Sequence, residues 1–210
     1  MVAVVVSALT GCNGETSKES ADPGDVASSE ETPSAGSDEE DAEPRPVSRC
    51  DALVSPKRVT QLVGIPIEDS TEQPAGELQF CQWTKRGREL LVVDGPAAGW
   101  SAFLGADIEA VQSSGTPITP AQEQALKAGL RQARTGDGVC STVTTLAQVW
   151  SGDPGAEMVR LRQGDRVVRV DACEDGRFTR VLIDAPSVTS NPDAMLADAE
   201  ALVRDLQASP

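Results

Sequence analysis

The chain has no histidine and no tyrosine, and its aromatic residues are limited to three Trp and three Phe. Without imidazole there is no His-based nucleophile triad, no His-ligated metal and no imidazole general base, and without a phenol there is no tyrosine acid or base. Serine is plentiful, but no Gly-x-Ser-x-Gly elbow occurs, and a Ser-Lys arrangement would have to draw on Lys57, Lys85 or Lys127. Basic residues are scarce, with 18 Lys and Arg against 33 Asp and Glu. That balance argues against docking a polyanion on a basic patch, so nucleic acid is not an expected partner. Long apolar runs are also missing. Residues 2–9 as a helix would cover about 12 Å, well short of a hydrocarbon core of roughly 30 Å.

What the N-terminus does contain is an address. Met-Val-Ala-Val-Val-Val-Ser-Ala-Leu-Thr-Gly-Cys is an apolar run followed by small residues and a cysteine, which predicts an export signal over residues 1–11. No Lys or Arg precedes the run, so the signal is read as truncated at its N-terminus. Leu9-Thr10-Gly11-Cys12 resembles the bacterial lipobox. That resemblance implies a thioether-linked diacylglycerol on Cys12, cleavage before it, and a lipid anchor on the outer face of the cytoplasmic membrane, where two acyl chains hold far better than one. Residues 13–45 hold eleven acids against Lys18 and Arg45, interleaved with Ser, Gly and Pro, and Val26 is their one strongly apolar side chain. Such a stretch buries too little to offset its ordering entropy. Residues 12–45 are therefore read as the lipidated cysteine and a disordered acidic tether, with an acidic recognition tail or a site of Ser/Thr modification as the alternative.

Residues 46–210 are of ordinary size for one domain, with four further cysteines, Cys50, Cys81, Cys140 and Cys173. An even count in an exported chain reads as two disulfides with three possible connectivities. Spacing favours one of them: Cys50 and Cys81 are 31 positions apart, and Cys140 and Cys173 are 33 apart. Pro96 and Pro186 follow the second cysteine of each pair at similar distances, each ahead of an amphipathic stretch. We read a divergent duplication offset by about 90 residues, with bridges Cys50 to Cys81 and Cys140 to Cys173. Disulfide pairing would also consume the thiolates that cysteine catalysis or a zinc site needs.

Local punctuation supplies the elements. Ser55-Pro56, Thr119-Pro120 and Asn191-Pro192 each put a capping side chain before a proline suited to the first helical position. The first helix carries Val59, Leu62 and Val63 and stops at Gly64, and the second runs to about Arg134. In the second half, residues 157–163, 167–173 and 177–185 read as a three-strand meander with turns at Gly164-Asp165 and Asp175-Gly176. In the first half, residues 78–85 and 88–94 flank Arg86-Gly87 as a hairpin. Residues 139–150 are divided between the helix that the repeat requires and the strand that Thr and Val favour, with the balance slightly to helix. The fold class is thus α+β, an antiparallel sheet with helices packed on it, disulfide-stapled and built of two divergent α-β-β-α halves. At Cys81-Gln82-Trp83 the cysteine and indole share a strand face. A lipobox, an acidic tether, a first cysteine, a short helix ending Leu62-Val63-Gly64 and then Cys-x-Trp together resemble a family of actinobacterial cell-envelope lipoproteins of unknown function. The resemblance covers residues 48–95 well and the rest loosely. It implies an envelope location and supplies no catalytic residues.

Candidate chemistry is sparse. Six arginines crowd the second meander, and Arg160, Arg162, Arg169 and Arg180 are the candidates for holding a carboxylate or phosphate. The favoured alternative is the solvated face of a one-sided sheet, paired with Asp165, Asp171, Glu174 and Asp175. Asp107 and Glu109 point about 200° apart on a helix and read as surface charges. Trp83, Trp100 and Trp150 read as core rather than as a sugar-stacking platform. No catalytic residue, metal or cofactor is expected. The expectation is a non-enzymatic lipoprotein that is held at the membrane and recognises an envelope protein or small ligand. An envelope hydrolase using carboxylates and a structural accessory subunit of a membrane complex are the competing classes.

Overall fold

The computed structural model describes residues 48–209. The expected export signal over residues 1–11, the expected lipidation site Cys12 and the expected acidic tether up to Arg45 lie outside the described residues. Two short helices open the domain, α1 (Arg49–Leu53) and α2 (Pro56–Val63), each begun by a serine whose hydroxyl accepts a backbone N–H. Gly64, at φ 76°, ends α2 in the left-handed conformation that glycine tolerates best. A three-strand meander follows: β1 (Ser70–Ala75), β2 (Leu78–Lys85) and β3 (Arg88–Pro96). Next come a 3-10 helix (Ala97–Ala102), α3 (Leu104–Ser113), α4 (Pro120–Gln132) and α5 (Gly136–Ser151). The second meander is β4 (Val159–Gln163), β5 (Val167–Glu174) and β6 (Arg177–Asp184), and α6 (Pro186–Ser190) and α7 (Pro192–Gln207) close the chain.

The caps read from the sequence are in place, with Ser55, Thr119 and Asn191 each accepting a first-turn N–H ahead of proline. Residues 139–150 are helical, inside α5. Its Thr-rich composition is accommodated because Thr142, Thr144 and Thr145 donate their hydroxyls to the carbonyl four residues back, at 2.8, 3.1 and 3.0 Å. The first half holds three strands rather than two. Arg86-Gly87 and Asp175-Gly176 form two-residue turns with both residues at positive φ, whereas β4 and β5 are joined by three residues, 164–166, rather than two.

All six strands form one antiparallel sheet in the order β1-β2-β3-β6-β5-β4. Helices cover both faces. On the first face α1, α2, α6 and α7 enclose a core that includes Trp83, Leu90, Val92, Val170, Val181 and Ile183. On the second face the 3-10 helix, α3, α4 and α5 pack over Leu78, Val93, Val159, Leu161 and Phe178. The disulfides are Cys50–Cys81 and Cys140–Cys173, each tying a helix of its half to the middle strand of its meander.

The two halves repeat their element order but not their layering. A two-fold rotation that exchanges β3 with β6 in an antiparallel sheet keeps each face in place. Here Cys81 lies in the first-face core and Cys173 packs on the second. The opening helices of the halves therefore sit on opposite faces, and no rotation superimposes one half on the other.

Candidate functional site

Strand register assembles the most polar part of the interior. Arg169 and Asp171, two apart on β5, share the second face, and Asp171 pairs across to Arg180 on β6. α3 lowers Asp107 onto them, because the stripe Leu104, Ile108 and Val111 that faces the sheet passes through position 107. Arg169 donates to Asp107 Oδ1 at 2.7 Å and to both oxygens of Asp171. Arg180 donates from Nε to Asp171 Oδ1 at 2.7 Å and from Nη2 to both oxygens of Asp107 at 2.9 Å. Trp100 Nε1 donates to Asp107 Oδ2 at 3.1 Å, and its ring lies 4.3 Å from the Arg180 guanidinium, an additional cation–π contact.

The four charged side chains are only 3–11% exposed, and two cations balance two anions. Burial disfavours the charge on Asp171, but the Arg169 and Arg180 guanidiniums outweigh it and hold the carboxyl well below the usual range. Burial likewise works against the Arg169 charge and is overcome by Asp171 and Asp107, so its pKa is raised. The arrangement is a closed quartet in which the two guanidiniums donate to the two carboxylates.

The four candidate arginines therefore do not converge on an anion. Arg169 and Arg180 are in the buried quartet, while Arg160 and Arg162, on one face of β4 as expected, point to the other side of the sheet. There Arg160 meets Glu200 at 2.8 Å and Arg162 pairs with Asp193. The expected pairing of this meander with acids holds for Asp171, but its setting is the interior rather than a solvated face. Asp107 is likewise buried rather than a surface charge. Trp83 and Trp100 are core residues and Trp150 is half-buried.

A second polar knot lies on the first face. Arg177 donates to both oxygens of buried Asp94 at 3.0 and 2.7 Å, and Thr179 donates to the same carboxylate at 2.7 Å. The hydrogen bond to Asp94 raises the Arg177 pKa. Gln207 near the end of α7 donates to Thr179 Oγ1 at 2.9 Å. Beside the knot is an open cleft of ≈ 480 Å³ whose lining mixes Glu174 and Asp175 with Arg177 and Arg204.

The chain matches no family model, no curated protein and no solved structure. Its chemistry must be argued from its own geometry. Among the described residues no group of three His, Cys, Asp or Glu is placed to hold a metal ion, and the four described cysteines are all in disulfides. Among the same residues no helix is long and apolar enough to cross a membrane.

One surface stands out by contrast with its opposite side. Across the second face, register defines three rows: Phe80, Val93, Arg180 and Asp171; Gln82, Leu91, Leu182 and Arg169; Thr84, Glu89, Asp184 and Val167. The first row lies mostly under Trp100 and its neighbours. In the other two rows Gln82, Leu91, Leu182, Glu89, Asp184 and Val167 are only half-buried. The intervening residues on the first face, Trp83, Leu90, Ile183 and Val168, are fully enclosed. The sequence does not single out this surface, because the missing signal is where α3 stops covering the sheet.

Proposed function

We propose that this chain is an exported lipoprotein, anchored through Cys12 to the outer face of the cytoplasmic membrane, whose domain binds another protein in the cell envelope without catalysing a reaction. The anchor rests on the Leu9-Thr10-Gly11-Cys12 motif and the acidic segment after it. The four paired cysteines suit an oxidising compartment. The observation that carries the binding reading is the half-buried end of the second sheet face around Leu91 and Leu182, where apolar side chains that are enclosed on the opposite face are left partly uncovered. The non-catalytic reading is supported by the carboxylates Asp107 and Asp171, each held by two guanidiniums. They are poorly placed to take a proton from a substrate.

The test is acylation in a bacterial host with a complete signal peptide supplied. Labelled palmitate is expected on the mature chain together with membrane fractionation, and Cys12→Ser should abolish both. Label and membrane association that survive Cys12→Ser would refute the anchor.

A further inference from the structure

We propose that Cys173 Sγ is a thiol-exchange site, at which a small thiol opens the Cys140–Cys173 bridge and leaves a mixed disulfide on Cys173, while Cys50–Cys81 is closed to the same reagent. This goes beyond the binding reading above and does not depend on it.

Strand lengths supply the argument. Cys81 is flanked in its meander by Glu72 of β1 on one side and Val92 of β3 on the other, and both Cys50 and Cys81 are fully buried. Gln79 Nε2 also donates to both of their sulfurs, at 3.9 Å to Cys50 and 3.7 Å to Cys81. Cys173 is placed differently. β5 outruns β4, whose ladder begins at Val159 opposite Asp171, so Cys173 has Phe178 of β6 on one side and, among the described residues, no strand partner on the other. Cys140 and Cys173 are accordingly only half-buried. Cys173, but not Cys140, lines an open cleft of ≈ 320 Å³ together with Thr144, Glu157, Met158, Ala172 and Glu174. That volume lies at the small end of ligand-binding clefts. Access decides which sulfur is attacked, and a thiol entering the cleft reaches Cys173. Its thiolate bonds to Cys173 Sγ, the bond between the two cysteine sulfurs breaks, and Cys140 Sγ leaves with the electron pair and takes up the proton that the incoming thiol lost. Attack by Cys140 on the adduct restores the bridge and expels the thiol. A second thiol can instead remove the adduct as a symmetric disulfide, so that two thiols are oxidised as the bridge is reduced. α5 is held in addition by buried Val139, Val143, Leu146 and Ala147, and its packing on the sheet therefore outlasts the opened bridge.

The test uses the full chain with Cys12→Ser, which leaves every remaining cysteine in a bridge. It is treated with 2-mercaptoethanol under native conditions, quenched with N-ethylmaleimide and mapped by mass spectrometry. Cys140–Cys173 should open at least about tenfold faster than Cys50–Cys81, with the mercaptoethanol adduct on Cys173 and the maleimide on Cys140. In concentrated guanidinium chloride, where access no longer differs, the two rates should come within about twofold of each other. Glu174→Trp, which enlarges an exposed residue at the rim and narrows the cleft, should slow opening of Cys140–Cys173 several-fold and leave Cys50–Cys81 unchanged. Equal rates in the native protein, an adduct mainly on Cys140, a difference that persists in the denaturant, or no slowing in Glu174→Trp would overturn the proposal.

Discussion

Asp107 shows how a single carboxylate was misjudged from sequence. Its position three residues after Leu104 and four before Val111 places it on the inward stripe of α3, but a charged side chain is rarely buried unless paired. Its partners lie 62 and 73 positions away, beyond any local pattern. The arginines of β5 and β6 were legible as a concentration of charge, and so was their pairing with Asp171 on β5, but their burial was not, because the second acid that neutralises them, Asp107, comes from α3. Removing one member of such a cluster leaves an uncompensated buried charge, which typically costs about 3–5 kcal/mol. Asp107→Ala is therefore expected to lower unfolding free energy by that order in urea titration, while Glu109→Ala on the exposed side of α3 changes it by less than about 0.5 kcal/mol. A cost at Asp107 no greater than at Glu109 would mean that the quartet contributes nothing net. Asp171 also fixes the acid limb of stability. Its folded pKa is depressed, so its contribution is complete above the unfolded carboxylate value of about 3.9 and is lost as pH falls from there toward the folded value. With no histidine in the chain, chemical denaturation midpoints should be nearly level between about pH 5.5 and 8, falling below about pH 4.

At the scale of elements, helix caps and type I′ turns were readable because each is a local arrangement of two or three residues. β1 escaped notice because Ser70-Thr71-Glu72-Gln73-Pro74-Ala75 lacks an apolar alternation and contains a proline. The strand forms at the sheet edge, where proline is tolerated. α5 was ambiguous because Thr and Val lower helix propensity, and burial of Val139, Val143, Leu146 and Val149 decided in favour of helix. Its contact with α4 is unusually close. A Cβ built on Gly129 would stand 3.0 Å from the Thr142 Cβ and nearer still to its hydroxyl. Gly129→Ala should destabilise the domain by about 1–3 kcal/mol despite the better helix propensity of alanine. Adding Thr142→Ala should return part of that loss, a non-additivity that a double-mutant cycle measures. Additive effects would show that the helices simply move apart.

For the whole molecule, the disulfide pairing and the α+β class followed from spacing and pattern, whereas the exchange of faces between the halves did not, since spacing carries no information about which side of a sheet a helix takes. Because each helical layer draws on both halves, neither half can cover its own strands. Residues 46–115 expressed alone should lack dispersed amide resonances even with Cys50–Cys81 formed, and a folded fragment would show that the halves are independent units after all. Cys140→Ala/Cys173→Ala should cost about 2–5 kcal/mol by denaturant titration, in the usual range for a native bridge. The layering also separates two parts of the surface. Ser48, the first described residue, contacts Ser70, whose register partner Trp83 belongs to the first face. The polypeptide thus enters on one side of the sheet, and Leu91 and Leu182 open on the other. Substitutions around Leu91 and Leu182 are therefore separated from the chain's entry at Ser48 by the full thickness of the sheet, and a change at one should leave the backbone at the other undisturbed.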